Sequence, residues 1–255
     1  MDKRWVLITG ASSGIGEEFA RLFAADGHPL ALVARREAML ENLAASLPVE
    51  VRILPQDLSD PNAAEHVEHW LHVQEIEVET LVNNAGFGKL GEFIHLDHGD
   101  QMQMIRLNVL TLADLTHRLL PGMIERGRGG VLNVASLAAL QAGPYMATYY
   151  ATKAFVLHLT EAVREETLGK GITVSAFCPG PVLTEFGDVA GSSSSPLFRV
   201  GAMSCERATL LGYEGFRKGR AVILPGFMTK LVNLLVRITP RAITRKIVKK
   251  LQEPE

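Results

Sequence analysis

"WVLITGASSGIG" (residues 5–16) is the stretch on which the fold turns. Five residues, Trp5 to Thr9, read as a buried strand, and they run through a glycine-rich turn into a helix-length amphipathic segment, "IGEEFARLFAADG" (15–27). Gly10 permits a tight turn, Gly14 lets backbone amides approach a pyrophosphate, and Gly16 allows the helix to pack closely. The helix N-terminus adds partial positive charge at the same place. A lone glycine pattern would carry little weight. With a strand before it and a helix after it, the pattern has the context that a dinucleotide fingerprint requires.

The same rhythm continues outward. Strand-like runs recur as "LALVA" (30–34), "VRIL" (51–54), "TLVN" (80–83), "VLNVA" (131–135), "TVSAF" (173–177) and "AVIL" (221–224). Between them lie amphipathic segments that end in glycine, such as "FVLHLTEAVREETLGKG" (155–171). Strand and helix in alternation predict an α/β fold of the Rossmann type, a doubly wound and mostly parallel seven-stranded sheet with helices on both faces. Its ligand should bind beyond the carboxyl ends of the strands. At 255 residues the chain fits one such dinucleotide-binding and catalytic domain, residues 1–255.

About twenty residues after the fingerprint, an NAD site would place an acidic residue on the adenosine ribose. This chain has "VARRE" there, with Ala34, Arg35 and Arg36. A carboxylate would repel a 2′-phosphate, whereas a guanidinium can hold it by forked, charge-assisted hydrogen bonds. The reading is therefore NADP(H), with Arg35 and Arg36 as phosphate ligands and Ser12 and Ser13 nearby.

Other features narrow the function class. The formal net charge of -2 gives no global electrostatic case for nucleic acid. Cys178 and Cys205 form no staple framework and show no metal-ligand spacing, and the first residues lack a signal-like pattern, so a cytoplasmic location is expected. "HVEHWLH" (66–72) spaces His66, His69 and His72 by three, which reads as a solvated helix face, and no metal is expected. A Gly/Ser-rich stretch within 186–205 looks like a substrate loop. From 215 to 252 the chain carries ten basic residues and no acidic one. Within it, 226–252 forms a basic amphipathic extension, with Ile243, Ile247, Val248 and Leu251 expected on one side of a helix that starts near Pro240. Three roles stay open for that helix: peripheral contact with an anionic membrane, a cap over the substrate pocket, or a subunit contact.

"TYYATK" (148–153) sets two tyrosines ahead of a lysine. Tyr149 is four residues before Lys153 and Tyr150 three, so either ring could approach the ammonium from a helix. Together with "QDLSD" (56–60), "NNAG" (83–86), "LNVLT" (107–111), "NVASL" (133–137) and "CPGPVLTE" (178–185), it makes the chain resemble a classical short-chain dehydrogenase/reductase over roughly residues 5–185.

That resemblance implies the following roles. Tyr149 is the acid and base, Lys153 lowers its pKa and holds the nicotinamide ribose, Ser136 hydrogen-bonds the substrate carbonyl, and Asn108 supports a backbone kink and a proton relay. Gly10, Ser12, Ser13, Gly14, Ile15 and Gly16 hold the pyrophosphate turn; Asp57 and Leu58 meet the adenine. Asn83, Ala85 and Gly86 line the adenosine and ribose pocket. Pro179, Gly180 and Thr184 lie at the nicotinamide end. Tyr150 then becomes a substrate-pocket or interface aromatic. The expected activity is interconversion of a small-molecule carbonyl and alcohol, in a homo-oligomer, dimer or tetramer. Two other functions fit the same motifs: a non-catalytic sensor or scaffold that binds the dinucleotide, and an epimerase that keeps NADP bound.

Overall fold

The apolar runs become a parallel sheet whose central strands are covered on both sides. In the computed structural model, which describes residues 4–191 and 202–253, β1 (Trp5–Thr9) and β2 (Leu30–Ala34) are buried at every position. Continuous rather than alternating burial is what a parallel strand between two helical layers shows. With β3 (Val51–Pro55), β4 (Val78–Asn83), β5 (Gly129–Val134), β6 (Ile172–Phe177) and β9 (Val222–Ile223), they form one seven-stranded sheet. Its order is β3-β2-β1-β4-β5-β6-β9 and every pairing is parallel. This is the Rossmann-type α/β architecture. The order reverses direction between β1 and β4, so a crevice opens beyond their carboxyl ends.

Alternate residues of each strand serve opposite layers. Val6, Ile8 and Leu32 pack with Phe19 and Phe23 of α1 (Gly14–Ala25), with α2 (Glu37–Ser46) and with Phe216 of a later helix. Leu7, Val33 and Leu81 face Val67 of α3 (Ala63–Val73) and Leu115 of α5 (Leu112–Glu125). His66, His69 and His72 lie exposed on α3.

Two irregularities bear on the site. α4 (His98–Ile105) passes into a π-helical turn, Arg106–Thr111, before α5 begins. Such a turn inserts an extra residue per hydrogen-bonded ring and re-aims the side chains within it. Asn108 is one of them. After β5, a 3-10 turn (Leu137–Leu140) leads to the long α6 (Ala147–Thr167).

Strand boundaries differ from the sequence reading at the ends. β4 starts two residues earlier, at Val78, and only Val222 and Ile223 of "AVIL" pair with β6. A separate two-stranded sheet, β7 (Val182–Leu183) with β8 (Met203–Ser204), was not read from the sequence. The expected substrate loop of 186–205 is partly regular: α7 (Phe186–Ala190) opens it, and α8 (Cys205–Arg217) begins where it closes. Residues 192–201 lie outside the described residues.

The extension forms α9 (Gly226–Ile238) and α10 (Arg241–Gln252), with Pro240 capping the second as expected. The buried side of α10 differs from the one read in the sequence. Thr244, Val248 and Gln252, four apart, face inward, whereas Ile243 and Ile247 are half exposed. The helix is oriented by the groups it meets, Met146 and Tyr150, which hold Gln252.

Candidate active site

The crevice begins where β1 ends. Gly10 takes a left-handed conformation, φ +66°, and a Cβ there would lie 2.8 Å from Ala85 Cα. Gly16 is tighter still, with a Cβ placed 2.3 Å from the carbonyl oxygen of Gly10. Gly14, φ +56°, faces Thr184, whose Cγ2 would be 3.0 Å from an added Cβ. The turn is fastened to β4 by Thr9, whose hydroxyl accepts from the backbone N–H of Asn84 (3.0 Å) and Ala85 (3.1 Å). In return the Asn84 amide donates to the carbonyls of Thr9 and Gly10.

Arginines line the far edge. Arg36 donates to Ser12 Oγ (3.3 Å) and to the Ser12 carbonyl (3.2 Å), and pairs with Glu185 at 2.9 Å. Those contacts, Arg36 foremost and then Ser13, hold the Glu185 carboxyl below the usual carboxylate range. Arg35 lies 3.7 Å from Asp57 and is mostly exposed. Burial alone would raise the Asp57 carboxyl. Two hydrogen bonds from Ser59 (2.8 and 2.7 Å) and the Arg35 charge outweigh that and lower it.

At the other end sit Tyr149, Lys153 and Ser136. Tyr149 and Lys153 are one turn apart on α6 and both are buried; the ammonium lies 5.9 Å from the centre of the phenol ring and donates to the Val134 carbonyl at 2.7 Å. Ser136 caps the 3-10 turn, accepting from Ala138 N at 3.1 Å, and lines the same cavity wall as Tyr149. Asn108, presented by the π turn, accepts from Phe87 N (3.1 Å) and donates to the Phe87 carbonyl (3.0 Å) and Thr152 Oγ1 (3.1 Å). Gly86 leaves room for this group: a Cβ would lie 2.9 Å from Asn108 Oδ1 and 3.4 Å from Lys153 Nζ.

Burial sets the protonation states here. It pushes the Tyr149 phenol up to about 12, outweighing the nearby Ser136 hydroxyl, which lowers it. It also depresses the Lys153 ammonium to about 8. At neutral pH the chain's own groups therefore hold Tyr149 as a protonated phenol, a donor rather than a base. The phenolate form needs positive charge beyond what Lys153 supplies.

One cavity of about 600 Å³ joins the two ends. Ser12, Ser13, Ile15, Arg35, Arg36, Asp57 and Leu58 line it at one side; Ser136, Tyr149, Lys153, Pro179, Gly180 and Thr184 line it at the other. Asn83 does not reach it. Asn83 faces the sheet interior, where its amide donates to Thr116 Oγ1 (3.0 Å) and Asn133 Oδ1 (2.9 Å), while Asn84, one residue beyond the strand, takes the lining position. The physical reason is parity: Asn83 is paired in register with Asn133, and only the next residue clears the sheet. Gly16 and Asn108 support the lining from behind.

Tyr150 is buried and its hydroxyl accepts from Gln252 Nε2 at 2.6 Å. Val232, Leu235, Val248 and Gln252 bring α9 and α10 into the cavity wall, so the extension covers the substrate end. Glu185 and Gln252, neither foreseen in the sequence, carry contacts at the two ends. Among the described residues, no group of three His, Cys, Asp or Glu side chains is placed to hold a metal ion. Nor is any helix among them long and apolar enough to cross a membrane.

The cradle fits a nicotinamide dinucleotide: the glycine positions exclude a Cβ, and the cavity runs unbroken from them to Tyr149. Comparison with known proteins agrees. The sequence profile of short chain dehydrogenases matches residues 4–193. A sulfoacetaldehyde reductase of Chromohalobacter salexigens is 38% identical over 199 residues, 74% of this chain and 79% of that protein. A very-long-chain 3-oxoacyl-CoA reductase of Anas platyrhynchos is 28% identical over 98% of this chain and 84% of its own. Among solved structures, a short-chain dehydrogenase from Sphingobium yanoikuyae in complex with NADPH superimposes with a TM-score of 0.81 at 31% identity, covering 94% of this chain and 97% of that one.

Proposed function

The chain belongs to the short-chain dehydrogenase family of oxidoreductases, and from that premise we propose an NADP(H)-dependent enzyme that interconverts a carbonyl and an alcohol, with Tyr149 as its acid and base. The observation that carries the reading is Tyr149, buried, sharing the cavity wall with Ser136 and one helical turn from Lys153, at the end of a cavity that starts at the glycine turn. A bound nicotinamide would supply or accept the hydride. The chain's own residues do the rest. Ser136 Oγ holds the carbonyl oxygen and stabilises charge developing on it, and the protonated Tyr149 releases its proton to that oxygen as the alcohol forms. In the oxidative direction the same proton returns to Tyr149. Lys153 orients the ribose, and Asn108 fixes the backbone of Phe87 beside it.

Arg35 and Arg36 support NADP(H) over NAD(H), since they bring positive charge to the cavity edge where a 2′-phosphate would lie. The NADPH complex of the Sphingobium relative points the same way. A cytoplasmic homo-oligomer accompanies this reading; Leu110 and Phe155, exposed on the helical segments that carry Asn108 and Lys153, suit its contact.

The test is NADPH consumption across ketones, aldehydes, 3-oxoacyl thioesters and steroids, with NADH in parallel. Stoichiometric oxidation of NADPH with alcohol formation is expected for at least one class. Tight NADPH binding without turnover on any of them would favour the sensor, and product without net NADPH consumption the epimerase.

A further inference from the structure

Residues 226–252 hold about half of all the exposed large apolar side chains among the described residues. On α9 they form a stripe, Phe227 at 75% exposure, Leu234 at 56% and Ile238 at 70%, spaced seven and four residues apart and so on one face. On α10, Ile243, Ile247 and Leu251 are spaced by four and are exposed beside the buried stripe. Leu235, Ile247 and Leu251 are both exposed and part of the cavity wall, so this apolar surface borders an opening of the cavity.

Cations surround it. Lys230 and Arg237 flank the stripe of α9. Arg241, Arg245, Lys246, Lys249 and Lys250 occupy the remaining exposed positions of α10 apart from Ala242. Among the described residues none of the seven has a carboxylate partner; Lys249 lies over the Tyr145 ring, 6.0 Å from its centre. Neither helix contains an acidic residue.

We propose that the α9–α10 face docks on an anionic lipid bilayer, with its apolar stripes entering the interfacial region and its lysines and arginines meeting the headgroups. Charge decides among the occupants. A symmetric contact between two copies would set this face against itself, cation against cation, with no carboxylate on either helix to relieve it. Nucleic acid would satisfy the charges but leave Phe227, Leu234 and Ile238 in water. A bilayer surface accommodates both features. Docking in this way turns an opening of the cavity toward the lipid. The proposal is independent of the cofactor and of turnover.

Co-sedimentation of the full chain with phosphatidylcholine vesicles, with and without 30% phosphatidylglycerol, tests it. Binding is expected to the anionic vesicles, at least tenfold weaker to the neutral ones, and to fall steeply as salt rises from 0.1 to 0.5 M. Two double variants separate the contributions: Phe227→Ser with Ile238→Ser, and Lys246→Glu with Lys250→Glu. All four side chains are exposed and outside the cavity wall, so thermal unfolding and NADPH affinity should match wild type. Each pair should lose at least fivefold in vesicle binding. The proposal is overturned if wild type does not sediment with anionic vesicles. It is equally overturned if both variants sediment undiminished, if duplex DNA binds more tightly than vesicles, or if sedimentation velocity shows a dimer that the serine pair dissolves.

Discussion

The glycine turn and the α9–α10 cover bound the same cavity but are held in different ways. Around the turn, backbone meets backbone: Gly10 sits against Ala85, Gly16 against Gly10, and Thr9 and Asn84 fasten β1 to β4 through four hydrogen bonds. The cover touches the body through a narrow buried set, Thr229 on α9 and Thr244, Val248 and Gln252 on α10, and leaves apolar and cationic groups outside. Few buried contacts mean a low cost of local opening. The contrast assigns precision to the cofactor end and adaptability to the substrate end.

The largest effects should come from the reacting groups and the glycine turn rather than from the cover. Lys153→Met is expected to reduce turnover by roughly 10²–10⁴-fold, the range that positioned proton-transfer machinery supplies. Its effect on stability should depend on pH in a defined direction. Folding lowers this ammonium from 10.5 to about 8, so between those values the unfolded chain retains the proton that the native chain has lost. The desolvation cost is fully present below about pH 8 and is relieved as pH rises. Urea unfolding of wild type relative to the variant should therefore show wild type gaining stability from pH 8 to 10. A flat difference would mean that the ammonium is not desolvated.

Gly10→Ala comes next. A side chain at φ +66° with its Cβ 2.8 Å from Ala85 Cα should cost about 1–3 kcal/mol and abolish tight dinucleotide binding, read by urea midpoint and NADPH fluorescence. The same substitution at Gly27, φ +82° with open space around it, should cost backbone strain alone and leave binding intact.

Arg35→Ala and Arg36→Ala are each expected to weaken NADPH about tenfold, as for a lost charge-assisted hydrogen bond, while leaving NADH unchanged. Equal affinities for both cofactors in wild type and variants would remove the phosphate assignment.

What could be read from the sequence follows the same division. The strand and turn of residues 5–16 dictate their own geometry, because only glycine fits where backbones cross, and so the fold and the cofactor end were legible. Asn83 was misjudged by one position, since strand parity at a carboxyl end is decided by pairing with Asn133, which lies 50 residues away. The Glu185–Arg36 pair had no local signal, because the two helices that meet there are remote in sequence. On α10, Ile243, Ile247 and Leu251 share the spacing of four with Thr244, Val248 and Gln252; only contact with Met146 and Tyr150 selects the second set as the inner face.

The smallest effect belongs to that cover. Gln252 Oε1 is buried and has no hydrogen-bond partner among the described residues, although its Nε2 serves Tyr150. Gln252→Met should therefore leave the melting temperature within a few degrees and alter KM for a bulky ketone by a few-fold, with little change in kcat. A large fall in kcat would show that the cover helps to position the reacting groups.

The central claim, that Tyr149 and not its neighbour delivers the proton, is tested most directly by comparing Tyr149→Phe with Tyr150→Phe in NADPH-dependent carbonyl reduction, with NADPH affinity measured on each. Tyr149→Phe should lose at least about 100-fold in kcat with affinity retained, and Tyr150→Phe should stay within a few-fold of wild type. The reverse ranking, or equal losses in both, would contradict that claim.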